Sequence, residues 1–200
     1  MGDAVEFFFD YGSPFSYLAN ALLPDLARRR GATLVHRPML LGGVFKATGN
    51  RSPIAEPIDA KRAYAGAALR RTAEHFGIEI GSNPHFPIDT LRLMRTAVAA
   101  QREGVFDAFH AAVFPAFWIE GLDLGDPAVV ARVLDAAGVH AATLAELATT
   151  DDVKAELRAN TDEAVARGAF GAPTLFVGDR MFFGVDHLPY LERLLEQRAS

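Results

Sequence analysis

The apolar stretch Val5 to Phe9 reads as a short buried strand, ended by the breaker cluster Asp10, Gly12, Ser13 and Pro14. Ser13-Pro14 then supplies an N-cap and a first-turn proline. The pattern predicts a helix through about Arg30, with Leu18, Ala21, Leu22 and Leu26 on one face, a kink at Pro24 and a stop at Gly31. Thr33 to Arg37 follows as a second strand, and strand, helix, strand in this order implies a parallel pair. Gly42 to Asn50 reads as a loop, extended by Ser52-Pro53 and Glu56-Pro57. Helical spacing then recurs over Ala60–Phe76, Thr90–Glu103, Val105–Ile119, Pro127–Ala137 and Asp151–Arg167, with an irregular stretch at Gly81–Asp89. After Gly168 the pattern reverts. Gly171-Ala172-Pro173 is a turn, Thr174–Val177 a strand, Gly178-Asp179 a hairpin turn, Met181–Phe183 a strand, and Leu188–Gln197 a closing helix.

This order, β-α-β, a helical block, then β-β-α, is that of an α/β fold: a thioredoxin-like domain with a large all-helical insertion. The expected boundaries are residues 1–41 and 151–200 for the discontinuous thioredoxin-like domain and 42–150 for the inserted helices. Length agrees with one such unit, since 200 residues stand against about 150 for a typical domain. Half the residues are hydrophobic, 22% are charged and the net charge is −5, which argues against disorder and against nucleic acid as the main partner. The N-terminal stretch carries acidic residues where a secretion signal needs basic ones, and no long apolar run follows. A soluble, cytoplasmic protein is expected.

Cysteine is absent. That excludes a CxxC redox pair, a cysteine nucleophile, thiolate zinc sites and a disulfide framework. The six histidines show no spacing of three or four, so no metal site is expected. Chemistry is then sought at three junctions. Ser13-Pro14-Phe15-Ser16 opens a helix, whose unpaired N–H groups carry about half a positive charge and favour an anion. In a thioredoxin-like fold this is the CxxC position, with both cysteine places here serine; read alone, Ser13 is an N-cap. Phe170-Gly171-Ala172-Pro173-Thr174 places a proline before a strand, where such folds hold a cis-proline that turns the preceding backbone toward a ligand; read alone, it is a plain turn. Gly184-Val185-Asp186-His187 ends the last strand, and Asp186 read alone is a helix cap. Phe86, Phe114, Phe117 and Trp118 in the helical block read first as core.

Taken in order, Phe7-Phe8-Phe9-Asp10, Ser13-Pro14-Phe15-Ser16-Tyr17-Leu18-Ala19-Asn20, Gly49-Asn50, Trp118-x-Glu120-Gly121, Phe170-Gly171-Ala172-Pro173-Thr174 and Phe183-Gly184-x-Asp186 resemble the 2-hydroxychromene-2-carboxylate isomerase family. That family is related to kappa-class glutathione transferases and, more distantly, to DsbA-type thiol oxidoreductases. The resemblance implies a dimeric, glutathione-binding isomerase of small aromatic molecules. Ser13 matches the family's catalytic serine, which hydrogen-bonds the glutathione sulfur. The glutathione contacts map to Ser13, Phe15, Asn50, Ala172, Val185 and Asp186, with Pro173 as the cis-proline. Lys46, Phe86, Trp118 and Phe183 are candidates for the substrate pocket. Members often carry Asp-Arg where this chain has Asp186-His187, which leaves a less permanent positive charge there. A kappa-like transferase acting on small electrophiles, and a glutathione-binding domain without turnover, are the alternatives. Disulfide exchange is excluded by the missing cysteines.

Overall fold

A computed structural model describes residues 3–199. Among these residues the sheet has four strands, β1 (Ala4–Phe9), β2 (Thr33–Pro38), β3 (Thr174–Val177) and β4 (Arg180–Phe183), in the order β2-β1-β3-β4. β1 and β2 run parallel, joined by helix α1 (Pro14–Arg30). β3 lies antiparallel to β1, with Phe7 opposite Leu175, and β4 closes the hairpin. Between them come α2 (Leu41–Thr48), α3 (Asp59–Phe76), α4 (Leu91–Arg102), α5 (Phe106–Trp118), α6 (Pro127–Ala136), α7 (Ala141–Leu147) and α8 (Asp151–Ala166). A short 3₁₀ turn over Val185–His187 leads into α9 (Leu188–Ala199). The expected fold class, a thioredoxin-like sheet with a large helical insertion, is the one observed.

β1 is central because both its faces are apolar, as the uninterrupted phenylalanine run requires. Phe7 and Phe9 point into the main core with Leu18, Met94, Phe109, Phe114 and Leu175. Phe8 points the other way, into a smaller cluster with Met39, Val44, Ala164 and Phe176. All three rings are fully buried, and each contributes on the order of 1.5–3 kcal/mol of apolar burial. On the Phe8 side, Glu6, Arg37, Glu163 and Arg167 form a partly buried charge network that fastens α8 to the sheet. The Arg167 guanidinium also lies 3.8 Å from the Phe176 ring centroid. Among the described residues no helix is long and apolar enough to cross a membrane.

Two elements differ from the sequence expectation. The segment read as a loop from Gly42 to Asn50 begins with a helix, α2, because tertiary contacts override the low propensity of Gly42 and Gly43. Gly43 lets α2 approach α8 closely: a Cβ there would lie 3.1 Å from the Thr161 methyl group. Gly49, at φ +73°, ends α2 and donates its N–H to the Phe45 carbonyl. The second difference is α7, a seven-residue helix too short to show a period. Pro24 sits inside α1, on its exposed side, without ending it.

Candidate active site

Ser13 is the N-cap of α1, in extended geometry, and its Oγ accepts the Ser16 N–H at 3.1 Å. It is only 4% exposed. The same hydroxyl donates to the Ala172 carbonyl at 3.1 Å, a contact between residues 159 apart in sequence. No acidic residue occupies the first turn of α1, and the nearest carboxyl before it is the buried Asp10, which accepts the Gly12 N–H just ahead of the cap. Ser16, one turn further, is fully buried, and its Oγ has no hydrogen-bond partner among the described residues. Phe15 is half-buried against the main core.

The other motifs assemble around this contact. The Ala172–Pro173 bond is cis, and so is Phe86–Pro87, which the sequence did not single out. The Asn50 side-chain amide, beyond the end of α2, donates to the Phe170 carbonyl at 2.7 Å. Gly171 is covered by Phe183: a Cβ on Gly171 would stand 2.9 Å from that ring. Phe183 stacks in turn on Phe170, with centroids 4.3 Å apart. Gly184 donates its N–H to the Pro173 carbonyl at 3.1 Å and holds φ +88°, ψ 163°, a conformation open only to glycine. The Val185 side chain is buried in the core, while Asp186 is exposed beside Gly184.

Not every expected residue joins this group. Lys46 is exposed on the last turn of α2, and among the described residues no hydrogen bond joins it to Ser13, Asn50 or Ala172. Phe86 packs on Trp118 with centroids 5.2 Å apart, a pair separate from Phe170 and Phe183. Trp118 is 4% exposed and its indole N–H donates to the Tyr11 carbonyl at 2.9 Å, so it braces the turn that carries Ser13.

That turn, residues 10–13, holds polar groups to which sequence reasoning assigned no role. The buried Asp10 carboxyl accepts the Gly12 N–H at 2.9 Å, the Leu41 N–H at 2.8 Å and the Thr90 hydroxyl at 3.0 Å. Burial pushes its pKa up, and these hydrogen bonds draw it partly back. The Tyr11 hydroxyl bonds His110 Nδ1 at 2.7 Å, and His110 Nε2 bonds Asn20 Oδ1 at 2.6 Å. An amide oxygen only accepts, so Nε2 carries the proton and Nδ1 receives the tyrosine O–H. Burial, with the His36 imidazole adjacent, pushes His110 down to about 3, so the ring is neutral. Asp10 and Tyr11 lie in the Phe9-Asp10-Tyr11 run, yet Leu41, Thr90 and His110 are far away in sequence. Among the described residues no group of three or more His, Asp or Glu could hold a metal ion.

The family model of the DsbA-like thioredoxin domain matches residues 4–196. A 2-hydroxychromene-2-carboxylate isomerase from Sphingobium xenophagum is 32% identical over 195 residues, spanning 98% of this chain and 99% of that one. Glutathione S-transferase kappa 1 from Homo sapiens is 28% identical over 212 residues, spanning 97% and 91%. A solved structure of a 2-hydroxychromene-2-carboxylate isomerase superposes with a TM-score of 0.81 at 31% identity, covering 98% of each chain.

Proposed function

The chain belongs to the 2-hydroxychromene-2-carboxylate isomerase family of DsbA-like thioredoxin domains, and from that premise we propose a glutathione-dependent isomerase. Its substrates in this reading are small conjugated aromatic molecules of the hydroxychromene-carboxylate and hydroxybenzylidene-pyruvate type, met in aromatic hydrocarbon breakdown. It works as a cytoplasmic homodimer. The observation that carries the reading is the meeting of Ser13 and Ala172 at the start of α1 in a chain without cysteine. A thioredoxin-like site that lacks its own sulfur is complete only when sulfur arrives with a ligand.

The residues present fit glutathione. A hydroxyl donor stands at a helix N-terminus, a backbone carbonyl lies beside it, and an exposed amide and an exposed carboxylate flank the two. The chemistry glutathione supplies when bound is reversible addition of a thiolate to a conjugated carbon, which makes a double bond rotatable until the sulfur leaves again.

The chain's own residues do the rest. The Ser13 hydroxyl turns from the Ala172 carbonyl to the sulfur and stabilises its anion, with the α1 dipole in support. The Ala172 carbonyl, released by that turn, accepts an N–H from the cysteinyl unit in the manner of an added strand. Phe15 packs against the same end of α1. Asn50 keeps Phe170 and the following residues in place, and Asp186 with the Val185 backbone holds the γ-glutamyl end. Phe183, which covers Gly171, offers aromatic surface to the substrate ring.

The kappa-class relative supports the second reading, a transferase. Incubation with glutathione and a hydroxychromene carboxylate, followed by thiol titration, separates the two. An isomerase interconverts the substrate and returns all the thiol. Loss of thiol in proportion to product would establish the transferase instead.

A further inference from the structure

Asp10 is 1% exposed and directly follows β1, on the turn that leads to Ser13. A buried carboxylate is costly unless its oxygens are satisfied, and here each donor comes from a different part of the site's frame. The Gly12 N–H belongs to the turn itself, the Leu41 N–H begins α2, and the Thr90 hydroxyl stands at the start of α4. The Asp10 backbone carbonyl takes the Ser13 N–H at 3.0 Å. Gly12 has no room to shift on the far side, because a Cβ there would meet the Thr90 methyl at 2.9 Å. α2, whose first N–H is fixed by Asp10, ends two residues before Asn50, and Asn50 fixes the Phe170 carbonyl. One side chain therefore governs both approaches to the Ser13–Ala172 contact.

We propose that Asp10 is the positioning residue of this site: it locks the β1–α1 turn, the start of α2 and the start of α4 into one frame that aims the Ser13 hydroxyl. The inference rests on the reading of Ser13 as the group that meets the glutathione sulfur. Asparagine in place of Asp10 has the same shape but one acceptor oxygen, too few for three donors, so one edge of the frame is released.

Two explanations of an Asp10 effect predict opposite signs. If Asp10 acts only as a nearby negative charge, its removal lowers the pKa of a bound thiol. If it aims Ser13, its removal raises that pKa, because the hydroxyl no longer reaches the anion. The test uses Ser13→Ala, Asp10→Asn and the double variant of the whole chain. It measures the pKa of bound glutathione by ultraviolet thiolate absorbance, glutathione affinity by calorimetry, and turnover. Under the proposal, Asp10→Asn raises the thiol pKa and lowers kcat roughly ten-fold or more while glutathione Kd changes less than about three-fold. Both effects disappear in the Ser13→Ala background. Should Asp10→Asn fail to fold, Thr90→Val removes one donor while keeping its shape, and the same changes follow at smaller size. A thiol pKa that falls or stays constant in the Asp10 or Thr90 variants, or effects that add fully to those of Ser13→Ala, overturns the proposal. A bound-thiol pKa in Ser13→Ala unchanged from that of the wild-type complex overturns the Ser13 reading along with it.

Discussion

The side-chain amide of Asn50 donates to the main-chain carbonyl of Phe170 at 2.7 Å, across 120 residues of sequence. It joins the end of α2 to the loop that delivers Ala172. Because Asn50 is exposed, Asn50→Ala is expected to cost less than about 1 kcal/mol of stability. The loop before Ala172 loses its tether, so KM for glutathione rises several-fold while the melting temperature holds. Steady-state kinetics at varied glutathione, paired with thermal denaturation, check both halves.

Ser13→Ala separates a cap from a catalytic group. Loss of the N-cap costs about 1 kcal/mol, or a fall of about 2–4 °C in Tm for a chain of this size. Loss of a donor to a developing anion lowers turnover by roughly a hundred-fold or more. A variant whose turnover drops only in line with its stability would leave Ser13 as a cap alone.

Glycines at two positions respond in opposite directions. Gly184→Ala forces a side chain into φ +88°, with its Cβ 2.5 Å from Asp186 Oδ1, at a cost of about 1–3 kcal/mol. The Gly184 bond to Pro173 and the placement of Asp186 suffer together, so glutathione binding weakens as well. Gly42, inside α2, has nothing within 4 Å of the position a Cβ would take. Gly42→Ala is expected to stabilise by about 0.5–1 kcal/mol, through helix propensity and a less disordered unfolded chain. Chemical denaturation midpoints of the two variants, measured side by side, decide this.

The buried imidazole between Tyr11 and Asn20 makes stability depend on pH. His110 is held at about 3 against an ordinary value of 6.5, so between these limits the unfolded chain takes up a proton that the folded one refuses. Its contribution is complete above pH 6.5 and drains as pH falls, by up to about 1.4 kcal/mol per pH unit. Asp10 works in the opposite sense: burial raises its pKa, so its contribution is present below 3.8 and is lost as pH rises through the raised value. Urea unfolding of wild type and His110→Gln at about pH 5 and pH 7 isolates the histidine, and the wild type is expected to show the steeper loss on acidification.

Most of the fold was legible because the chain marks its own element boundaries. Asp10 to Pro14, Gly31, Gly77 and Gly168 all fall where an element begins or ends. The phenylalanine run showed that β1 is buried on both faces. α2 was hidden because Gly42 and Gly43 look like a loop until Thr161 of α8 is brought against them. Around Ser13, the sequence supplied the motifs but not the bracing. Asp10 closes a readable motif and Tyr11 follows it directly, yet Leu41 lies 31 residues from Asp10, and Trp118 lies 107 from Tyr11. Patterning reports which face of an element is apolar; it carries no record of which distant N–H a buried carboxylate will find.

The antiparallel pairing of β1 with β3 has a consequence for the order in which this protein is made. β1 leaves the ribosome before its partners and can pair with β2 soon after, but its second edge waits for residues 174–176. Until then a strand containing Phe7 and Phe8 keeps an open row of backbone donors and acceptors, a template for pairing with other chains. Ala172 emerges just ahead of β3, so the carbonyl that Ser13 contacts and the strand that shields β1 arrive together. The site and the protection of its own scaffold are completed in one late, non-local step.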